Sequence, residues 1–127
     1  MTQKPRNVSV VLVVEDEELV RLGACSMLQD AGYEVIEAAG ADQALAILKS
    51  RSDVGVLFTD VQMPGRLDGL ELALEVHEQW PLVHLLLTSG NVTPERRAFP
   101  RDGRFLAKPY GGEQMVREIG RLIDEAA

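Results

Sequence analysis

The chain has 127 residues, with 13 Lys and Arg against 20 Asp and Glu, and a formal net charge of −7. This length fits one domain, and 46% hydrophobic with 26% charged residues is ordinary for a soluble globular protein. No apolar run reaches the roughly 18–20 residues of a membrane-spanning helix, and residues 1–7 are polar, so a membrane or secreted protein is excluded. The single cysteine, Cys25, allows no internal disulfide and fits a reducing cytoplasm. The acidic balance disfavours a nucleic-acid partner.

The first element is a nearly continuous β-branched run, Val8–Val14, which predicts a strand buried on both faces. A helix over Glu17–Ala31 follows, and Gly32 stands where it should end. Its predicted inward face carries five apolar residues at helical spacing: Val20, Ala24, Met27, Leu28 and Ala31.

The middle of the chain continues the alternation of strands and helices. We predict a strand at Glu34–Ala38, a helix at Ala41–Arg51 and a buried strand at Asp53–Thr59 that ends on Asp60. The helix is expected to point Ala44, Leu45 and Leu48 inward. A helix at Gly69–Trp80, stopped by Pro81, and a strand at Leu82–Thr88 come next.

The segment Asn91–Arg104 interrupts this alternation. A helix is due there, but Pro94, Pro100 and Gly103 leave room for at most a turn or two after Pro94. A short strand at Phe105–Ala107 and a final helix over Glu113–Ala126 complete the chain. The final helix carries one apolar stripe: Met115, Val116, Ile119, Leu122, Ile123 and Ala126.

Strands that alternate with helices predict an α/β fold with a parallel sheet covered by helices on both faces. In such a sheet, ligands bind at the carboxyl ends of the strands, near the point where the strand order reverses. Four of the five predicted strands end in polar residues at that edge: Glu15 and Asp16, Asp60, Thr88 and Ser89, and Lys108.

This set of residue types indicates phosphoryl chemistry. Three carboxylates in one place repel one another unless a cation neutralises them, and oxygen ligands with room for water suit Mg²⁺. A carboxylate can accept a phosphoryl group as an aspartyl phosphate, while a lysine and a threonine hydroxyl can bind phosphate oxygens. The set therefore predicts Mg²⁺-assisted phosphoryl transfer onto a carboxylate.

Five motifs in order resemble the receiver domains of two-component response regulators, including the single-domain chemotaxis type. They are V-L-V-V-E-D-E (Val11–Glu17), L-F-T-D-V-Q-M-P-G (Leu57–Gly65), D-G-L-E-L (Asp68–Leu72), L-L-L-T-S-G (Leu85–Gly90) and F-L-A-K-P-Y (Phe105–Tyr110). The resemblance covers essentially the whole chain. It implies a flavodoxin-like, doubly wound sheet of five parallel strands in the order 2-1-3-4-5, with a short or irregular fourth helix, and one receiver domain over 1–127.

The resemblance also implies a role for each motif residue. Asp60 is the expected phosphoacceptor and a metal ligand, Asp16 binds Mg²⁺ directly, Glu15 contacts it directly or through water, and the backbone carbonyl of Gln62 is a further ligand. Lys108 is expected to pair with Asp60 and then with the phosphoryl group, which Thr88 also binds. Phe105 is the expected aromatic switch, and the Lys108–Pro109 bond is expected to be cis.

Three features depart from the commonest family pattern. Glu15 stands where Asp is usual, and the loop Pro64–Gly69 is one residue longer than the M-P-x-M-D-G form. The third is the interrupted segment Asn91–Arg104, in the region that forms the output surface of many family members. We therefore expect a monomer or a weak homodimer.

The leading hypothesis is a cytoplasmic signalling switch rather than an enzyme. Its expected partner is a histidine kinase or a histidine phosphotransfer protein, and its output passes through an unspecified protein contact, without a nucleic acid or a membrane. The receiver is expected to stand alone, and excision from a larger regulator or hybrid kinase is the alternative.

Two other classes share parts of the pattern. A Mg²⁺-dependent phosphohydrolase with an aspartyl nucleophile often has a second Asp two residues after the first, where this chain has Gln62. A flavodoxin-like cofactor binder needs a phosphate loop after the first strand, where this chain has the acidic residues Glu15–Glu18.

Overall fold

The computed structural model describes residues 10–63, 68–90 and 103–126. The predictions for residues 8 and 9, for most of the loop Pro64–Gly69 and for nearly all of Asn91–Arg104 fall outside these residues. The strands are β1 (Val10–Val14), β2 (Glu34–Ala38), β3 (Val54–Asp60), β4 (His84–Ser89) and β5 (Arg104–Ala107). The helices are α1 (Glu18–Asp30), α2 (Ala41–Ser50), α3 (Gly69–Gln79) and α4 (Gly112–Ala126).

The five strands form one parallel sheet in the order β2-β1-β3-β4-β5, which confirms the predicted fold class. Val14 at the end of β1 pairs with Ala38 on one side and Thr59 on the other. Asp60 at the end of β3 pairs with Thr88 of β4. The register therefore brings the ends of neighbouring strands to one edge of the sheet.

The central strands separate two hydrophobic layers. β1 and β3 are buried at every position, as their continuous apolar sequences predict. Alternate residues of β1 point to opposite faces, so Leu12 packs with α2 and α3 while Val11 and Val13 pack with α1 and α4. Helices thus cover both faces of the sheet.

The predicted apolar faces of α2 and α4 are confirmed at the positions that matter for packing. In α2 the buried residues include Ala44, Leu45 and Leu48. In α4 Met115, Ile119 and Leu122 are buried, with Val116 and Ile123 partly buried against the same layer.

The predicted face of α1 is partly wrong. Ala24 and Leu28 are buried, together with Cys25, but Met27 is 42% exposed and Ala31 is exposed. An apolar stripe fixes the middle of a buried face better than its borders, and Met27 lies at the border, where it meets Gly112 of α4. The helix gives way to β2 through Gly32, whose φ of 98° favours glycine.

Within the described residues, no helix combines the length and the hydrophobicity that crossing a membrane requires.

Candidate functional site

The turn from β1 into α1 brings two acidic residues to the sheet edge. The backbone N–H of Glu15 continues the sheet by donating to the Ala38 carbonyl at 3.1 Å. The Glu15 side chain is buried, and its Oε2 accepts from the Glu17 N–H at 3.1 Å. Asp16 is exposed, so one carboxylate of the pair lies inside the protein and the other faces solvent.

Asp60 is the last residue of β3 and lies at the centre of the site. It is 8% exposed, and its Oδ1 accepts a hydrogen bond from the Gln62 N–H at 3.2 Å. The next residue, Val61, donates its N–H to the Thr88 carbonyl at 2.8 Å. The end of β3 and the start of the following loop are therefore held on both sides of Asp60.

Lys108 follows β5 and reaches across the sheet edge to both buried carboxylates. Its N–H donates to the Ser89 carbonyl at 3.0 Å, which anchors the residue beside β4. Its Nζ lies 2.9 Å from Glu15 Oε1 and 3.2 Å from Asp60 Oδ2. The peptide bond to Pro109 is cis, as expected.

The protonation states of Glu15 and Lys108 depend on each other, because the two side chains are hydrogen-bonded. Burial raises the pKa of Glu15 above its ordinary value of 4.5, although the hydrogen bonds from Lys108 and Glu17 lower it. Burial lowers the pKa of Lys108, but its hydrogen bonds to Glu15 and Asp60 outweigh that effect and leave the pKa raised. Lys108 is thus held as a cation between two carboxylates.

Thr88 and Phe105 occupy adjacent strands beside the acidic group. Thr88 is 3% exposed, and its Oγ1 has no hydrogen-bond partner within the part of the chain that the structure describes. Phe105 pairs with Leu87 in β4 and is partly buried against the hydrophobic layer of α2 and α3. A buried hydroxyl without a partner is uncommon in proteins, so Thr88 offers a donor to a ligand at this edge.

The acidic group also fits a divalent cation. Carboxylate oxygens of Glu15, Asp16 and Asp60 all lie within 4.8 Å of one another. Such an all-oxygen set, with one exposed member, suits Mg²⁺, which keeps several of its waters when it binds proteins. The structure therefore brings together Glu15, Asp16, Asp60, Thr88 and Lys108, with Gln62 adjacent through its N–H.

Two residues that support the site were not identified from the sequence. Gly69, the first residue of α3, packs so closely on β3 that a Cβ there would lie 1.6 Å from the Asp60 carbonyl oxygen. Arg21 of α1 donates from Nη1 to the Glu15 carbonyl at 2.8 Å. In the sequence, only the D-G pair at the start of α3 indicated the close contact of Gly69 with β3. No sequence signal indicated the bond from Arg21 to Glu15.

The chain belongs to the response regulator receiver domain family, whose model matches residues 11–120. The sensor kinase CckA of Brucella abortus is 33% identical over 121 residues, covering 92% of this chain and 13% of CckA. The transcriptional regulatory protein PdtaR of Mycobacterium tuberculosis is 32% identical over 111 residues, covering 86% of this chain and 54% of PdtaR. The chain thus matches only part of the length of these two relatives.

Solved structures agree with this assignment. The chemotaxis protein CheY4 of Vibrio cholerae superposes with a TM-score of 0.80 and is 31% identical. The match covers 90% of this chain and 98% of the CheY4 chain. The fold, the motifs and the family model therefore agree that this is a receiver domain of two-component signalling.

Proposed function

We propose that this chain is a phosphoacceptor switch in which Asp60 receives a phosphoryl group from a phosphohistidine of a histidine kinase or phosphotransfer protein. The observation that carries the proposal is the position of Asp60. It lies at the sheet edge, bonded to the Lys108 ammonium and within 4.8 Å of two further carboxylates. A structural ion pair needs only one cation for one carboxylate, whereas a carboxylate that accepts a phosphoryl group is served by a lysine together with further carboxylates that can hold a divalent cation.

The transfer exchanges one bond to phosphorus for another. An Asp60 carboxylate oxygen attacks phosphorus, and the new P–O bond forms as the P–N bond of the phosphohistidine breaks. The electron pair of the broken bond stays on the imidazole nitrogen of the donor. Asp60 is held for this attack by the Gln62 N–H on Oδ1, which leaves the lone pairs of Oδ2 next to Lys108.

Asp16 and Asp60, with Glu15 and the Gln62 carbonyl, are the groups that would hold Mg²⁺. When bound, the cation would neutralise negative charge on the cluster and on the transferring group. Lys108 contributes a second positive charge from the β5 side. Together these charges favour a phosphoryl group at a position where three carboxylates alone would repel it.

Phosphorylation changes the balance of bonds at the edge of β4 and β5. The new dianion accepts from the Thr88 hydroxyl, whose Oγ1 lacks a partner among the described residues, and from Lys108, which then leaves Glu15. Thr88 pairs with Leu106 in β5, and Phe105 is the residue before Leu106. A shift of β4 at Thr88 would therefore displace the backbone that carries the aromatic ring. This is the two-state element that a signal would bias.

The proposal also includes the domain extent, cellular location and partners of this receiver. Residues 1–127 act as a single receiver in the cytoplasm, consistent with a buried free thiol at Cys25. Output passes to a protein partner, and the receiver acts as a monomer or weak homodimer. The net charge of −7 and the acidic sheet edge argue against a nucleic-acid ligand.

Labelling with acetyl phosphate in Mg²⁺ tests the proposal. We expect the wild type to gain one phosphoryl group by intact mass and Asp60→Asn to gain none, because an amide cannot form the acyl phosphate. Asp30→Asn, which changes the same charge at the far end of α1, should label like the wild type. Equal labelling of Asp60→Asn, or an unlabelled wild type with both acetyl phosphate and a histidine kinase, contradicts the proposal.

A further inference from the structure

Arg21 lies in the first half of α1 and joins three parts of the molecule. Its Nη1 donates to the backbone carbonyl of Glu15 at 2.8 Å, and its Nε donates to Glu37 Oε1 at 2.8 Å. The Arg21 side chain is only 13% exposed, whereas Glu37 is 48% exposed. A largely buried guanidinium is therefore committed to the peptide group that precedes Asp16.

The backbone of Glu15 is held at both of its polar groups. Its N–H donates to the Ala38 carbonyl in β2, and its carbonyl accepts from Arg21. That carbonyl belongs to the peptide bond that links Glu15 to Asp16. A bond to it fixes the direction in which the chain leaves β1, and so the position of the Asp16 carboxylate relative to Asp60.

Apart from the Glu17 N–H, which donates to Glu15 Oε2 at 3.1 Å, helix α1 gives this turn little support. Its N-cap residue Glu17 makes no side-chain capping bond, unlike Asp68 of α3, which forms a capping box with Glu71. The first helical bond, from the Arg21 N–H to the Glu17 carbonyl at 2.9 Å, starts at the same residue that holds Glu15. Arg21 thus ties the start of the helix to the end of the strand.

We propose that Arg21 is a positioning residue for the Mg²⁺ site, acting through its bond to the Glu15 carbonyl, with Glu37 orienting the guanidinium. This inference rests on the proposed function. Groups that hold metal-binding residues in place typically change metal affinity by about 10–100-fold when they are removed. We expect a loss of that size in Arg21→Met, whose side chain keeps much of the apolar stem and loses every donor.

Arg51 provides a matched control. It also pairs with a glutamate of β2, Glu34, and with a second carboxylate, Asp53. These bonds lie at the start of β2 and before β3, at the opposite edge of the sheet from Asp16 and Asp60. Arg51→Met removes an arginine with two carboxylate partners without touching the acidic group.

The experiment measures the Kd for Mg²⁺ alone by titration calorimetry at constant ionic strength. It compares the wild type with Arg21→Met, Arg51→Met and Glu37→Gln. We expect about 10–100-fold weaker binding in Arg21→Met only. Arg51→Met should bind like the wild type. Glu37→Gln should remain close to it because the amide oxygen of glutamine can still accept from Arg21 Nε and keep the guanidinium oriented. Thermal unfolding in EDTA measures the general loss of stability in each variant.

Amide hydrogen exchange without metal is the second readout. In Arg21→Met the Glu17 N–H should exchange faster than in the wild type, because the turn loses the hydrogen bond from Arg21 to the Glu15 carbonyl. In Arg51→Met the exchange rate of that amide should not change. Should Arg21→Met not fold, Arg21→Lys takes its place, because lysine lacks the separate Nε and Nη1 donors that reach Glu37 and the Glu15 carbonyl. The Mg²⁺ affinity of that variant should also fall.

The outcomes separate the two proposals. A wild type that binds no Mg²⁺ overturns the proposed function and this inference together. A wild type that binds Mg²⁺ while Arg21→Met binds equally well overturns the role of Arg21 alone. Equal losses in Arg21→Met and Arg51→Met, or in Arg21→Met and Glu37→Gln, also overturn it, because the carbonyl bond then carries no specific effect.

Discussion

At the scale of single residues, the charge of Lys108 governs the site, because it is the cation between Glu15 and Asp60. Its side chain is 23% exposed, while those of Glu15 and Asp60 are 6% and 10% exposed, so solvent screens their attraction only in part. The raised pKa of Lys108 means that its stabilising contribution is complete below the ordinary lysine pKa and is lost as pH rises through the folded-state value.

We therefore expect Lys108→Met to lower the free energy of unfolding by about 1–3 kcal/mol at pH 7–8, where two carboxylates are left side by side. The loss should shrink toward pH 4, because the pKa of Glu15 is raised and the carboxyl becomes neutral early as pH falls. Urea unfolding at several pH values measures it. The exposed Lys49→Met is the control, and a loss that is independent of pH contradicts the charge argument.

Cys25 illustrates a different situation, in which burial and not an ion pair is the main cause of the pKa shift. Burial raises the pKa of its thiol from 9.0 to about 11, so at pH 8 the folded protein holds roughly 100-fold less thiolate than an unfolded chain. Its contribution to stability is present below pH 9 and is lost as pH rises through about 11. Iodoacetamide at pH 8 should alkylate the native protein slowly and the urea-unfolded protein rapidly; equal rates would contradict this environment.

The residues of the site differ in how far the sequence reveals them. Asp60 and Thr88 lie at the ends of apolar strands, and Lys108 follows one. Strand ends can be recognised locally, so the meeting of these residues at one edge was predictable. The bond from Arg21 to Glu15 depends on the angle at which α1 leaves β1, which no spacing encodes. For the same reason the sequence did not determine which group the Glu15 carboxylate contacts, whereas the structure shows it bonded to Lys108.

At the scale of elements, α3 approaches the site more closely than a side chain allows. The Gly69 N–H donates to the Val61 carbonyl at 2.8 Å, which places the first turn of α3 directly on the end of β3. The capping box of Asp68 and Glu71 fixes where that turn begins. Any Cβ at Gly69 meets backbone atoms of Asp60 and Val61, and backbone has no alternative rotamer to adopt.

Gly69→Ala should therefore destabilise the protein by about 1–3 kcal/mol or more, because α3 or the end of β3 must move. The same displacement should slow the proposed phosphorylation of Asp60. Gly23→Ala is the matched control, since Gly23 lies within α1 and a Cβ there meets no atom within 4 Å. The free energy of unfolding of Gly23→Ala should rise by up to about 1 kcal/mol, because alanine has a higher helix propensity than glycine. Chemical denaturation and acetyl phosphate labelling measure both effects, and equal behaviour of the two variants would refute the close-contact argument.

Elements were predictable wherever one periodicity dominated the sequence. Over the residues that the structure describes, the predicted bounds of β1, β3 and α4 agree with the observed ones to within one residue. The error at Met27 lies at the border of the buried face, because α1 buries Cys25 instead and Met27 lies against Gly112 of α4. The segment Asn91–Arg104 stays a prediction.

At the scale of the whole molecule, the topology explains why the acidic residues meet. The strand order reverses between β1 and β3, because the chain moves outward from β1 to β2 and then crosses to the other side. Loops that leave β1 and β3 therefore diverge to opposite faces and open a crevice at the sheet edge. Glu15, Asp16 and Asp60 lie at that crevice, so three of the acidic residues are concentrated where the fold provides an open position.

Because these three carboxylates lie together, we expect the proposed binding of Mg²⁺ to have a measurable effect on the free energy of unfolding. At a Mg²⁺ concentration of ten times Kd, binding to the folded state alone adds about 1.4 kcal/mol, which raises the Tm of a domain of this size by about 5 °C. Asp16→Asn should lose most of that rise, because it removes the exposed carboxylate of the cluster. Asp30→Asn, which leaves the same net charge but lies at the end of α1 away from the cluster, should keep it. Differential scanning calorimetry with and without Mg²⁺ at fixed ionic strength decides between them. Equal shifts in both variants would mean that the whole negative charge of the molecule, and not the crevice between β1 and β3, attracts the cation.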